Sequence, residues 1–309
     1  MSLNDYLKEA RSKGHAIGHF NFSTVDVLRA IVEGAKEGGA SAVMVGTSEG
    51  EAEFLGMKEA VLLVHAAREE YDFPVFLNAD HYKSFEKCRE AIDAGYDTVL
   101  FDGSKLSYEE NLATAKKVVD YARSRADVDP ALELKGGVEG EIGYLKGSSE
   151  IQEKVEISSA DYTQPEQAQS FVQQTGVDRL AIVFGNIHGI VKEVVFTAPT
   201  PDGVGAPTAT SGEEHLDIEH LKKIVSAVPD TPLVLHGASG LKDEEVSAAI
   251  KAGIANVHFN TELRVAYTEG IEKAIHQDQK LETTPYKYLG PAAEAVKKVV
   301  IEKVRLFIK

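Results

Sequence analysis

Three histidines, His81, His188 and His236, each stand where a short apolar run gives way to a polar segment. His81 ends Asn78-Ala79-Asp80-His81, His188 lies in Asn186-Ile187-His188-Gly189, and His236 opens His236-Gly237-Ala238-Ser239-Gly240. One histidine in such a place is ordinarily exposed or hydrogen-bonded, but three in equivalent places are not explained by packing. Imidazole nitrogens suit zinc, and three protein ligands leave a position open for substrate. Two carboxylates share the rim, Asp102 after the fourth run and Glu141 beside Glu139 in the fifth. The other histidines read as bland: His65, His215, His220 and His276 fall in helical patterns, His15 and His19 in or beside the first run.

The glycine-bearing turns fit an anion. The segment from His236 to Gly240 leads into a helical pattern, and Asn260-Thr261 opens another. Backbone N–H groups at helix starts, with small hydroxyls, bind phosphate without net positive charge. A lone glycine is usually a turn requirement; together with Gly189 the set favours a phosphate.

These residues need a frame that gathers strand ends. Apolar runs occupy residues 16–20, 41–45, 74–77, 98–101, 138–142, 179–184, 232–235 and 255–259. Helical patterns occupy 24–37, 58–70, 84–94, 108–126, 164–175, 215–227, 243–252 and 261–276. Eight such alternations predict a (β/α)8 TIM barrel, whose sites lie at the strand C-termini and whose last two loops are the usual phosphate position. A doubly wound open sheet is the alternative, but Gly14-His15-Ala16-Ile17-Gly18 is not a dinucleotide turn. No linker interrupts the chain, so residues 1–309 are expected to be one domain. Two segments, 143–163 and 188–214, read as long functional loops, the second carrying Pro199, Pro201, Gly203, Gly205 and Pro207. Residues 291–309 read as an additional C-terminal amphipathic helix, with Val296, Val299, Val300, Val304 and Phe307 packing on the barrel or on a partner subunit.

Composition narrows the partners. The chain has 33 Lys and Arg against 49 Asp and Glu, a formal charge of −16, which disfavours nucleic acid and anionic membranes. No apolar stretch is long enough for a transmembrane helix, the N-terminus lacks a signal-peptide core, and a single cysteine, Cys88, excludes a disulfide framework. A cytoplasmic enzyme is expected.

The motifs together resemble the class II, metal-dependent aldolases that cleave fructose bisphosphate or tagatose bisphosphate. The resemblance covers the whole barrel and rests on Phe20-Asn21, Ser48, Asn78-Ala79-Asp80-His81, Phe101-Asp102-Gly103-Ser104, Val138-Glu139-Gly140-Glu141-Ile142-Gly143, Gly185-Asn186-Ile187-His188-Gly189, Leu235-His236-Gly237-Ala238-Ser239-Gly240 and Asn260-Thr261-Glu262-Leu263-Arg264. It implies that His81, His188 and His236 hold a catalytic Zn2+, with Asp102 and Glu141 forming a nearby position to which the zinc moves or which takes a second divalent ion. It implies Asp80 as the acid/base at the aldehyde oxygen. Gly189, Gly237, Ser239 and Thr261 would cradle the ketose phosphate near a monovalent cation, Ser48 would reach the phosphate region, and the identity of Asn260 bears on the sugar. Arg264 would reach the far phosphate, in some relatives across a subunit interface, so a homodimer or homotetramer is expected.

The chemistry stands beside the resemblance. Cleaving the C3–C4 bond of a ketose leaves a carbanion that a Lewis acid on the carbonyl can stabilise. The other electron sink is a lysine Schiff base, and the ends of strands six and seven carry no lysine, while Lys83 lies beyond His81. Two departures from the family pattern matter. The acidic loop expected after strand five, whose Glu exchanges the carbanion proton, is replaced by Gly143-Tyr144-Leu145-Lys146-Gly147-Ser148-Ser149-Glu150, with Glu150 the nearest candidate and Glu153 next. His258 stands where the family has a catalytic Asn and Asn256 where it has Lys; His258 is expected to donate a hydrogen bond to the enediolate or to narrow the pocket. Ala238 for Gly is a tolerable change. The resulting expectation is zinc-dependent, reversible cleavage of a ketose 1,6-bisphosphate, fructose 1,6-bisphosphate first, to dihydroxyacetone phosphate and glyceraldehyde 3-phosphate. The alternatives are a metal-dependent sugar-phosphate isomerase or epimerase and a catalytically silent sugar-phosphate-binding barrel; an intact Asp80 beside the three histidines argues against the latter.

Overall fold

Runs of Val, Ile and Leu buried on both faces pair in parallel only if helices cover them. In the computed structural model, which describes residues 1–128, 134, 136–198, 208–212, 214–276 and 281–309, eight parallel strands do this and close into a barrel. They are β1 (Ile17–Asn21), β2 (Val43–Thr47), β3 (Val75–Tyr82), β4 (Thr98–Phe101), β5 (Gly137–Ile142), β7 (Arg179–Ile182), β10 (Leu233–Leu235) and β11 (Ile254–Phe259). Strand β1 pairs with both β2 and β11, which closes the ring and removes the open-sheet alternative.

The covering helices follow the expected pattern: α2 (Val25–Gly38), α4 (Met57–Tyr71), α5 (Phe85–Ala94), α6 (Tyr108–Val128), α7 (Pro165–Thr175), α8 (Ile218–Ala227), α9 (Asp243–Ala252) and α10 (Thr261–Ile275). Helix α1 (Leu3–Ser12), which the strand–helix alternation does not include, plugs the N-terminal mouth by packing Leu3 and Leu7 on Ile17, Met44, Phe76 and Ala255. The short α3 (Glu49–Leu55) is a second addition; Ser48 and Glu51 start it with a reciprocal capping box. The C-terminal helix α11 (Pro285–Phe307) begins six residues earlier than expected, with Pro291 inside it. Pro285 in the first turn supplies the preset φ that starts a helix. Val296, Val300 and Val304 are buried in this helix, which lies on α2 and α10.

Both expected loops contain strands. β6 (Gly147–Ser158), β8 (His188–Ala198) and β9 (Thr208–Gly212) form a separate three-stranded sheet in the order β6-β8-β9. Val155, Ile157, Ile187 and Val194 bury its small apolar cluster. That alternation is too weak to read locally, because β6 pairs in parallel with a strand some forty residues onward. The expected loop prolines and glycines Pro199, Pro201, Gly203, Gly205 and Pro207 lie outside the described residues. Among the described residues no helix is long and apolar enough to cross a membrane.

Candidate active site

Strand β3 holds the first irregularity. Its partners in β4 advance from Val99 to Phe101 while it advances from Ala79 to Tyr82, a bulge at Asp80 and His81. His81 takes the left-handed conformation, with φ 54. Adjacent residues of a regular strand face opposite sides, but a bulge re-aims one of them. Asp80 and His81 consequently line the same cleft, with His188, Gly189, His236, Gly237, Ser239, His258, Asn260 and Thr261 around them.

The three sequence-predicted ligands converge. His81 Nε2 lies 3.0 Å from His236 Nδ1 and 3.1 Å from His188 Nε2, and one nitrogen of each ring lies within 4.8 Å of the other two. The hydrogen-bond network assigns the tautomers. His236 Nε2 donates to Glu139 Oε1 at 2.9 Å, so its Nδ1 presents a lone pair. His81 Nδ1 faces Asp102 Oδ2 at 3.1 Å and Glu141 Oε2 at 3.2 Å, so it carries a proton and turns Nε2 to the gap between the three rings. A cation in that gap, a proton or a metal ion, lets the facing nitrogens of His81 and His236 approach this closely. Zinc–nitrogen bonds of about 2.0–2.1 Å place tetrahedral ligands roughly 3.3 Å apart, close to the spacings here. The donor set therefore fits a divalent metal. Burial opposes a charge on His81, yet Glu141, Asp80 and Asp102 outweigh it and hold its pKa well above the ordinary value. Burial and the neighbouring His81 and His236 keep His188 neutral. Asp102 and Glu141 sit together at the other nitrogen of His81, forming a second group with metal-ligand spacing.

A carboxylate that sequence reasoning left without a role orients His236. Glu139 is fully buried and receives Arg179 Nε at 3.1 Å and Nη2 at 3.0 Å, both on Oε2. Arg179, equally buried, also donates to the Gly136 carbonyl and to Thr98 Oγ1. The only local signal was two glutamates on one barrel strand, two residues apart and so on one face.

Asp80 is buried and receives Asn21 Nδ2 on Oδ2 at 2.9 Å. Burial alone would raise its pKa, but His81, His258 and His19 hold it well below the carboxylate range, so it is ionised. Its Oδ1 has no hydrogen bond and faces His258 Nδ1 at 3.5 Å. Asn256 donates its amide to the Ile17 carbonyl, so its oxygen receives His258 Nε2–H at 2.8 Å. With Nε2–H on Asn256, His258 turns Nδ1 toward Asp80 and the cleft. His19 lies beside the site as well: its ring is buried and stacks on His258 with centroids 3.7 Å apart. Burial first, then His258, hold the His19 pKa well below the ordinary value.

Gly189 and Gly237 both have positive φ, 92 and 69. A Cβ on Gly189 would collide with the Ser148 and Glu150 carbonyls, and one on Gly237 with the Ile187 carbonyl. These glycines allow three chain segments to meet beside Ser239, Asn260 and Thr261, all lining the cleft as expected. Three other predicted residues sit apart from this group. Glu150 is exposed on β6 and does not line the cleft, whereas Ser149 beside it does. Ser48 directs both its hydroxyl and its amide to Glu51, the geometry of a helix cap. Arg264 lies in a side cleft, where it is bonded to Glu51.

Comparison with known proteins gives the family and the fold. The family model described as fructose-bisphosphate aldolase class-II matches residues 1–309. A fructose-bisphosphate aldolase of Staphylococcus aureus (strain Mu50 / ATCC 700699) is 33% identical over 310 residues, covering 99% of this chain and 96% of the relative. Among solved structures, the YdjI aldolase from Escherichia coli K12 superposes with a TM-score of 0.75 at 27% identity, over 99% of this chain and 96% of that one. A fructose-bisphosphate aldolase from Campylobacter jejuni shares the fold, with a TM-score of 0.69 at 21% identity over 98% and 91%.

Proposed function

Because the chain belongs to the class II fructose-bisphosphate aldolase family, metal-dependent lyases, we propose that it cleaves and forms the C3–C4 bond of a ketose 1-phosphate framework. Fructose 1,6-bisphosphate is the substrate to test first, with dihydroxyacetone phosphate and glyceraldehyde 3-phosphate as products. The observation that carries this reading is the convergence of three imidazole nitrogens beside an ionised, half-bonded Asp80.

His81, His188 and His236 would hold Zn2+, with Asp102 and Glu141 as the alternative or second cation position. When bound, the metal supplies a Lewis acid for the ketone carbonyl and takes up the charge that bond cleavage leaves. Asp80 Oδ1 takes the proton of the C4 hydroxyl as the C3–C4 bond breaks, the bond's electron pair goes to C3, and a proton from solvent at C3 completes the ketose-phosphate product; condensation runs the same transfers in reverse. Asn21 holds the opposite oxygen so that this lone pair stays aimed at the cleft, and neutral His258 offers the same hydroxyl a second acceptor. The backbone at Gly189 and Gly237, the hydroxyls of Ser239 and Thr261, and the start of α10 grip the C1 phosphate, with a monovalent cation as a further counter-charge. Asn260 sits between that phosphate and the sugar. We further propose a single domain acting as a homodimer or homotetramer in the cytoplasm.

The test is a coupled triose-phosphate assay on zinc-loaded protein with fructose 1,6-bisphosphate. Triose release is the expected result, abolished by a chelator and restored by zinc. A new ketose without triose would mean isomerisation, and binding without turnover a silent barrel; either outcome refutes the proposal.

A further inference from the structure

We infer that Glu51 is a specificity-determining residue that turns the aldehyde end of the cleft away from a second phosphate and toward an uncharged, hydroxylated group. The inference rests on the aldolase reading above and names the substrate class more narrowly: ketose 1-phosphates whose far end carries hydroxyls.

A side cleft opens from the catalytic one, and Asn21 and Asn260 line both. A substrate with its C4 oxygen at Asp80 and its C1 phosphate at Gly189 and Gly237 extends its remaining carbons past Asn21 into that side cleft. Among the described residues lining the two clefts, Arg264 is the one lysine or arginine. Its guanidinium is engaged: Nη2 donates to Glu51 Oε1 at 2.6 Å and Nη1 to the Ser149 carbonyl at 3.1 Å. Glu51 is itself held from several sides, with Oε2 receiving Asn21 Nδ2, Ser48 Oγ and the Ser48 amide at 2.8–2.9 Å. Its side chain is 11% exposed, against 45% for Arg264. Asn21 uses its other hydrogen on Asp80, so Glu51, Asn21 and Asp80 form one bonded line. The charged side chains lining the clefts, Arg264 against Asp80 and Glu51, sum to −1 before any histidine is counted.

A phosphate arriving here must take Arg264 from Glu51 and then sit as a dianion beside a carboxylate that three remaining donors hold in place. Like charges brought together in a closed site cost several kcal/mol in discrimination. A hydroxyl meets no such penalty, since it accepts from Arg264 and donates to the open side of Glu51 Oε1. Arg264, which the family resemblance directs to the far phosphate, and Ser48, which it directs to the ketose-phosphate region, are thus both bonded to one carboxylate.

The test compares fructose 1,6-bisphosphate with fructose 1-phosphate on the zinc-loaded full chain. Wild type is expected to show a kcat/KM ratio, bisphosphate over monophosphate, of about one or below. Glu51→Gln keeps the capping box, which accepts Gln at this position, and frees Arg264. It is expected to raise the ratio at least about tenfold through a lower KM for the bisphosphate, and a further Arg264→Met is expected to cancel that gain. A wild-type ratio above about thirty, or a Glu51→Gln ratio unchanged or lowered, overturns the inference. Calorimetric titration with glyceraldehyde 3-phosphate and with glyceraldehyde separates the two readings. If no ketose phosphate is cleaved the aldolase reading fails, while a Glu51→Gln gain of about tenfold confined to the phosphorylated aldehyde still supports the role of Glu51, and its absence refutes it.

Discussion

Replacing Glu139 by Gln tests how the metal centre is oriented, and the consequence follows from counting acceptors. Glu139 accepts on both oxygens, Oε1 from His236 Nε2 and Oε2 from two nitrogens of Arg179. An amide has one acceptor oxygen and one donor NH2, so in the Glu139→Gln variant one of these two sides is mismatched. The charged guanidinium makes the stronger claim on the oxygen. The NH2 then faces His236 Nε2, which must become the acceptor, and the proton moves to Nδ1, the atom aimed at His81. The metal thereby loses a ligand lone pair. Removing an outer partner of this kind typically weakens metal affinity by about 10–100-fold, equivalent to about 1.4–2.7 kcal/mol, and this change is expected at the upper end. Breaking a buried ion pair by removing one charge also costs about 3–5 kcal/mol of stability. The assay is competition for Zn2+ with a chromophoric chelator, run beside thermal unfolding of the metal-free protein. Glu139→Gln/Arg179→Met leaves the amide oxygen for His236 and removes the stranded charge, so it should recover stability and part of the affinity. A folded Glu139→Gln protein that binds zinc within about threefold of wild type would refute the tautomer argument.

Asp80→Asn keeps the shape and the Asn21 contact but loses the proton acceptor; kcat should fall by about 10²–10⁴ with zinc content unchanged, and a loss below tenfold would remove Asp80 from the proton transfer. Gly237→Ala places a methyl against the Ile187 carbonyl beside His188 at a φ suited to glycine; KM for the phosphorylated ketose should rise at least about tenfold, measured by initial rates. Burial, with Glu245 nearby, pushes the Glu214 carboxyl up to about 9 although the Ile187 amide donates to it. The native state keeps a proton that the unfolded chain releases near pH 4.3, so this group makes stability fall as pH rises from about 4.3 to about 9. Glu214→Gln, still able to accept from Ile187, should lose less Tm than wild type between about pH 6 and pH 9, and parallel pH profiles would contradict the assignment.

Much of the frame is written in short-range pattern. Each barrel strand was legible because parallel strands buried on both faces read as continuous apolar runs, and the helices because their periodicity and end residues are local. The three converging histidines were legible for a related reason: a barrel delivers every strand's C-terminal end to one rim, so position along a strand already states position in the site. What folding alone decided is pairing between distant groups. Glu139 meets His236 across 97 residues, and Arg264 meets Glu51 across 213. No local pattern distinguishes a glutamate that orients a ligand from one that caps a helix or captures an arginine, because those roles depend on which buried donors lie opposite. The bulge that turns Asp80 and His81 to one side, and the strand pairing of β6 with β8, likewise depend on register against a neighbour, which a chain acquires only when the neighbour arrives.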